Sequence, residues 1–245
     1  MTRKKTDRPA GRTDCESGDI AAIGRETIQN EIDGLRTLLE GIGTEFERAA
    51  RFILECRGKT IVCGIGKSGI VARKIAATLS STGTPSVYLH PVEAMHGDMG
   101  MVTGEDVFLA VSKSGNNEEI TRLLPHIRSL DVTTISITAS ADTALASESD
   151  VALVTGAERE ACPMDIVPTT STTAAMVLGD ALAVAVFRRR DFSEEDFAKL
   201  HPSGVLGKRL VLTVAELMHA GDDMPLVTME TTLKAVSYTH LRAHE

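Results

Sequence analysis

Five short apolar runs, each followed by a turn and a helical pattern, set the limits on what this chain can fold into. They are Thr60–Gly64, Ser86–His90, Asp106–Val111, Thr133–Thr138 and Val151–Val154. The third and fourth are β-branched and apolar with little polar alternation, as expected of strands covered on both faces. Helical patterns lie between them at Gly69–Ser81, Asn117–Leu130 and Thr143–Ser147. Strands alternating with helices predict an α/β fold, a doubly wound five-stranded parallel sheet between helices. In such sheets ligands sit beyond the carboxyl ends of the strands, where the loops gather.

The flanking segments read differently. Residues Met1–Asp19 are polar and charged without an apolar stretch, so a disordered leader is expected and a signal peptide is not. From Ile20 to Arg57 apolar residues recur at helical spacing, and Gly41 and Gly43 divide the run into two helices. After Val154 the pattern is helical again, over Thr170–Arg190 and Ser193–Leu200. The longest apolar stretch, Ala174–Phe187, contains Gly179 and Asp180 and falls short of a bilayer's thickness, so a buried helix and no membrane contact are expected. A new unit begins near Leu212, with too few residues left to bury a core of its own. The expected organisation is therefore a leader over 1–19, a main domain over 20–211, the start of a second domain over 212–236, and a tail over 237–245.

Composition narrows the choice of ligand. With 34 Asp+Glu against 26 Lys+Arg, the chain has no basic field for a polynucleotide, so no nucleic-acid partner is expected. Trp is absent and aromatics are 3%, which leaves little for base stacking. A small anionic metabolite needs only local donors and remains compatible. The four cysteines, Cys15, Cys56, Cys63 and Cys162, have no CxxC spacing, which argues against a zinc knuckle or disulfide framework and suits a reducing cytoplasm.

Two loops carry the chemical signal. The first strand runs directly into GIGKSG, Gly64–Gly69, which formally matches the dinucleotide pattern G-x-G-x-x-G. A dinucleotide site also needs an acidic residue at the end of the second strand, where His90 stands. A P-loop fails as well, since Ile61 occupies the position of its first glycine. What remains is a glycine turn that lets backbone approach an anion, followed by a helix N-terminus, with Gly66, Lys67 and Ser68 at hand. A tight βα turn with a solvated lysine would explain this loop taken alone. The third strand, however, ends in the same style, VSKSGNNEEI, with Ser112 and Ser114 around Lys113, Gly115 to turn the chain, and Asn116 or Asn117 to cap a helix. A third hydroxyl cluster, PTTSTT at Pro168–Thr173, opens the apolar helix; an N-cap accounts for one of its hydroxyls but not for five in a row. Acid–base candidates are His90 and His96 after the second strand, Glu160 in REACP, and His201 in LHPSG. Lone loop histidines are usually structural, but His and Glu gathered beside phosphate loops would form a site.

Taken together, the string GIGKSGIVARKIAATLSSTGTPSVYLHPVEAMHGDMGMV, then SKSGNNEEI, REACP, PTTSTTAAMVLGDALAVA and LHPSGVLGKRL, resembles the arabinose-5-phosphate isomerase family, the sugar isomerase (SIS) domain enzymes of Kdo biosynthesis. The resemblance runs from about Ile20 to Val236. It implies a flavodoxin-like SIS domain, a homotetramer, no cofactor, and interconversion of D-ribulose 5-phosphate and D-arabinose 5-phosphate on the way to lipopolysaccharide. By position, the family's important lysine falls on Lys67, its two carboxylates on Glu119 and Glu160, and its two histidines on His96 and His201. His90 matches a histidine associated with inhibitory zinc. Substrate contacts are implied at Gly66, Ser68, Gly83, Thr84, His96, Ser112, Ser114, Thr169, Thr170, Ser171 and Thr172. The expected chemistry makes Glu160 the C1/C2 base with a pKa raised by partial burial, His201 a proton relay, and Lys67 an offset to developing charge. Glu119 and His96 are expected to orient hydroxyls.

The resemblance has departures. Asn116 stands where many relatives have Glu, and only Val214–Val236 resembles the opening of the CBS modules that follow the SIS domain in that family. Ser237–Glu245 does not resemble the module's next helix, so a truncated or mis-joined reading frame is expected there. Two alternatives stay open: a non-catalytic SIS module binding a sugar phosphate as effector, and a SIS isomerase for another phosphosugar.

Overall fold

The computed structural model describes residues 19–200, 218, 221, 224 and 226–236. The chain divides into two compact units, Met1–Phe192 and Ser193–Glu245. In the first, helices α1 (Ile20–Glu40) and α2 (Thr44–Glu55) precede strand β1 (Thr60–Gly64), helix α3 (Gly66–Ser81) and strand β2 (Ser86–Leu89). A short helix α4 (Pro91–Met95) and a 3₁₀ turn at Asp98–Met101 lead to β3 (Val107–Val111). Then follow α5 (Glu118–Thr121), α6 (Leu124–Ser129), β4 (Thr133–Thr138), α7 (Ala144–Glu148), β5 (Val151–Val154) and α8 (Thr170–Arg189). In the second unit helix α9 (Glu194–Leu200) is opened by a reciprocal cap: Ser193 Oγ donates to Asp196 Oδ2, and the Asp196 N–H donates to Ser193 Oγ.

The five strands form one parallel sheet in the order β2-β1-β3-β4-β5, as the alternation of elements requires. Its period-two pattern separates two cores. Val62, Leu109, Ile135 and Ile137 face α1, α2, α3 and α8, while Ile61, Cys63, Phe108 and Ala110 pack with Ile120, Leu123, Ile127 and Leu145 on the other side. Phe108, wholly buried, is the largest side chain of that second layer.

The apolar helix α8 is the keystone of the first layer, with Ala174, Leu178, Leu182, Ala183 and Val186 buried. At 20 residues it is longer than the apolar run that announced it, and among the described residues it is the one helix long and apolar enough to cross a membrane. Half of its apolar window is buried in the protein core. Gly179 lets α3 come close, because a Cβ there would run into the Ile75 side chain. Lys74 and Asp180 pair across the same two helices.

The amino-terminal edge of the sheet is locked by Asp106, whose side chain is fully buried. Its Oδ1 accepts from the Lys59 N–H (2.8 Å), and its Oδ2 accepts from the Thr103 N–H (2.8 Å) and the Lys59 ammonium (2.9 Å). Burial would push the Asp106 carboxyl up, but these donors hold it below its ordinary value.

Candidate active site

The order of the sheet decides where a ligand goes. Connections leave β1 toward β2 on one side and run from β3 toward β4 on the other, so the chain reverses its winding between β1 and β3. Crevices at such switch points, beyond the carboxyl ends, receive ligands in open α/β sheets. Gly64 and Val111 are register partners at the ends of these two strands. The two glycine loops therefore begin side by side.

The first loop is the first turn of α3, which starts at Gly66 rather than at Gly69. Gly66 adopts φ +60°, a left-handed conformation that favours glycine. The first intrahelical bond joins the Gly69 N–H to the Ile65 carbonyl (3.1 Å), so the earlier N–H groups of the turn point forward, beside exposed Lys67 and half-buried Ser68. Gly64 and Gly69 serve contact rather than torsion. A Cβ on Gly64 would sit 2.8 Å from the Ser68 carbonyl oxygen, and one on Gly69 would sit 2.8 Å from the Gly64 carbonyl oxygen. Tyr88 ties the turn to β2, its hydroxyl donating to the Gly64 carbonyl (2.8 Å) beneath the Arg73 guanidinium, 4.6 Å above the ring.

The second loop is organised by Asn117. Its Oδ1 accepts from the hydroxyls of Ser112 (2.5 Å) and Ser114 (3.2 Å), and Ser112 Oγ in turn accepts the Gly115 N–H (3.0 Å). Asn116 fastens the loop to α7, accepting the Ala144 N–H (3.0 Å). The helix expected over Asn117–Leu130 is broken into α5 and α6. Pro125 cannot donate, and its ring conflicts with the carbonyl four residues back, which ends the first helix at Thr121. Glu119 is exposed in the first turn of α5.

Glu160 departs most from expectation. Its side chain is 2% exposed, and it caps the N-terminus of α8. Oε2 accepts from the N–H groups of Thr169 (2.8 Å) and Ser171 (3.1 Å), and Oε1 accepts from the Ser171 hydroxyl (2.5 Å) and the Lys113 ammonium (2.7 Å). Burial alone would push the carboxyl up. Lys113, the Ser171 hydroxyl and the two N–H groups outweigh it and pull the group from 4.5 down to about 2. The raised pKa expected of Glu160 is thus overturned. The hydroxyl cluster has largely the same occupation: Thr169 Oγ1 accepts the Ala161 N–H (2.9 Å), and Thr172 donates to the Thr169 carbonyl (2.8 Å). Thr170 Oγ1 is buried with no hydrogen-bond partner among the described residues.

Lys67, Ser68, His90, His96, Ser112, Ser114, Glu119, Glu160 and Thr169–Thr172 all follow strand ends and share the carboxyl edge of the sheet. His96 is exposed at the end of α4. His90 caps that helix, Nδ1 accepting the Val92 N–H (3.3 Å), and lies edge-on to Tyr88. Among the described residues no three His, Cys, Asp or Glu side chains are grouped to hold a metal ion. Gly83 and Thr84 precede β2 and therefore lie at the opposite edge. Gly83 there takes φ +84° against the Phe192 ring, and Thr84 is buried, so neither joins the site within one chain. His201 lies outside the described residues.

Sequence reasoning named Lys113 only as the neighbour of the loop serines and Asn117 only as one of two helix caps, and assigned neither a role in the site. The available signal was the position of Lys113 between the two loop serines; the partner, 47 residues away, had no local signature. Lys113, Ser68, Ser171 and Thr172 line one narrow cleft with Thr138 and Thr155.

Residues 53–185 match the SIS domain family. The chain is 48% identical over 215 residues to the arabinose 5-phosphate isomerase KdsD of Pseudomonas aeruginosa, covering 88% of this chain and 66% of that protein. It is 46% identical over 216 residues to the protein of the same name from Escherichia coli K12, with the same coverage. The chain thus spans 66% of the length of the curated relatives it matches. Among solved structures, the c3406 protein of E. coli CFT073 in complex with arabinose 5-phosphate superposes with a TM-score of 0.73 at 36% identity, over 75% of this chain and 98% of that one.

Proposed function

The chain belongs to the SIS domain family, and from that premise we propose that it interconverts D-ribulose 5-phosphate and D-arabinose 5-phosphate as an aldose–ketose isomerase. The observation that carries this reading is the pair of glycine loops meeting at the β1/β3 switch point, with the buried Glu160 beside them. They match a substrate with one phosphate and one carbon acid. The phosphate would lie across the first turn of α3 and the Ser112–Gly115 loop, where N–H groups, hydroxyls and Lys67 supply donors.

In the reaction a base takes a proton from C1 of the ketose. The C–H electron pair becomes the C1=C2 bond, and the carbonyl oxygen gains the charge. Return of the proton to C2, with transfer of the O1 proton to O2, gives the aldehyde. Glu160 is the base in this reading: ionised, as an acceptor must be, and shielded from water. Lys67 offsets the enediolate or phosphate charge, Glu119 and His96 orient sugar hydroxyls, and His201 relays protons or assists ring opening. By its resemblance to the arabinose-5-phosphate isomerase family, this reading extends to a cytoplasmic homotetramer serving Kdo synthesis, with residues 212–236 the start of a CBS region.

A second reading is favoured by one observation, the tightly held Glu160, which suits an effector-binding module as well as a catalyst. One assay separates them: incubate the protein with ribulose 5-phosphate and look for arabinose 5-phosphate, with ribose and sedoheptulose phosphates alongside. Formation of arabinose 5-phosphate is the expected result. Phosphosugar binding with no conversion of any substrate would refute the isomerase and leave the effector site.

A further inference from the structure

The Lys113–Glu160 pair joins the two halves of the site. Lys113 belongs to the loop that receives the phosphate, between Ser112 and Ser114, whereas Glu160 belongs to the chemistry. Their contact is asymmetric in exposure: the lysine side chain is 33% exposed and the glutamate 2%. Solvent, and any anion arriving from it, reaches the ammonium and not the carboxylate. Lys113 is the one cation bonded to Glu160 among the described residues. Other charged residues line the cavity on that side, Glu26 and Asp33 from α1 and the exposed Glu158 and Arg159 from its own loop, while Asp165 accepts the Glu160 N–H. If Lys113 leaves, the carboxylate keeps four neutral donors, the N–H groups and the hydroxyls of Thr169 and Ser171. The carboxylate is therefore not stranded by losing the ion pair, although it is buried.

We propose that Lys113 is a positioning residue with two alternative partners: the Glu160 carboxylate in the unliganded protein and the substrate's phosphate group once the site is filled. A phosphate in the Ser112–Gly115 loop offers a doubly charged acceptor within reach of a flexible four-carbon stem, so the exchange needs only side-chain rotation. Its consequence is that Glu160 is a weak base while the site is empty and a stronger one when substrate is bound, because burial then acts with less opposition. Phosphate binding, remote from C1 and C2, is thereby turned into basicity at the reacting carbon. The proposal rests on the phosphosugar reading but not on turnover.

Competition for one ammonium makes a prediction that a purely structural ion pair would not. Inorganic phosphate is titrated calorimetrically at neutral pH into the wild type, Glu160→Gln, Lys113→Met, Lys113→Arg and the Glu160→Gln/Lys113→Met double variant, each checked for folding by circular dichroism. Removing the competitor should make Glu160→Gln bind phosphate on the order of 10-fold more tightly than the wild type, within the usual range of coupling between sites. Lys113→Met should bind about 10-fold more weakly, Lys113→Arg should restore affinity, and the gain from Glu160→Gln should vanish in the double variant. Equal or weaker binding by Glu160→Gln, a gain that persists without Lys113, or no phosphate binding at all would overturn the proposal. Should Glu160→Gln not fold, Lys113→Met decides alone, an unchanged affinity being the refuting result. The expected binding pattern in a protein that converts no pentose phosphate would instead remove only the isomerase reading.

Discussion

Replacing Glu160 with Gln should change how stability depends on pH, by an amount the structure fixes. The carboxyl ionises near 4.5 when exposed and near about 2 in the fold, so the ionised form favours the folded state. The contribution is complete well above pH 4.5 and is lost as pH falls through the folded value. At about 1.36 kcal/mol per pKa unit it amounts to about 3 kcal/mol at pH 7, an upper figure because the Lys113 end is partly solvated. Most of it survives at pH 4.5, and about 1 kcal/mol at pH 3. Other carboxylates titrate over the same range, but they are common to both proteins and cancel in the difference. Urea unfolding followed by circular dichroism at pH 7, 5, 4 and 3, at one fixed protein concentration, therefore isolates the group. The gap between wild type and variant should shrink by about 2 kcal/mol between pH 7 and pH 3. A gap that stays constant across that range, or widens, would refute the reasoning that Glu160 is a charged cap.

Asp106→Ala removes the acceptor of two N–H groups and an ammonium at the buried amino-terminal edge, and it should cost about 3–5 kcal/mol, seen as a melting point lower by roughly 10 °C. Turnover per folded molecule should persist, since this edge is remote from the loops; a variant as stable as the wild type would contradict the account. Gly179→Ala drives a methyl into Ile75 and should lose about 1–3 kcal/mol in urea unfolding. Combined with Ile75→Ala it should be less damaging than the two single losses added together, and simple additivity would show that the two helices do not meet there.

The strands were legible because each is a compact β-branched run, and a parallel sheet buries both faces. What escaped local reading was governed by single residues or by distance along the chain. Helix α3 starts three residues earlier than its apolar pattern, because Gly66, Lys67 and Ser68 carry no apolar signal. Pro125 cuts α5 from α6, and α4 is too short for a periodicity to register. His90, His96, the two glycine loops and Glu160 were placed at one edge by topology, which a strand list with order β2-β1-β3-β4-β5 supplies at once. The environment of Glu160 was not legible, because burial, a helix end and a lysine 47 residues away act on it together. Gly83 and Thr84 entered only through resemblance, and strand direction alone separates them from the rest.

The contact glycines of the first loop also bear on how this protein could change over time. Gly64 and Gly69 have no room for a single methyl, each being held against the other's backbone, and Gly66 is kept by its left-handed φ, while Lys67 is exposed. The loop thus has two positions that set the depth of the cradle and others that face outward with freedom to vary. Changes of side chain at 67 and 68 leave the floor of the turn intact, whereas a methyl at 64 or 69 lifts it. Selection can therefore act on the outward side chains of this edge while the fold beneath stays as it is.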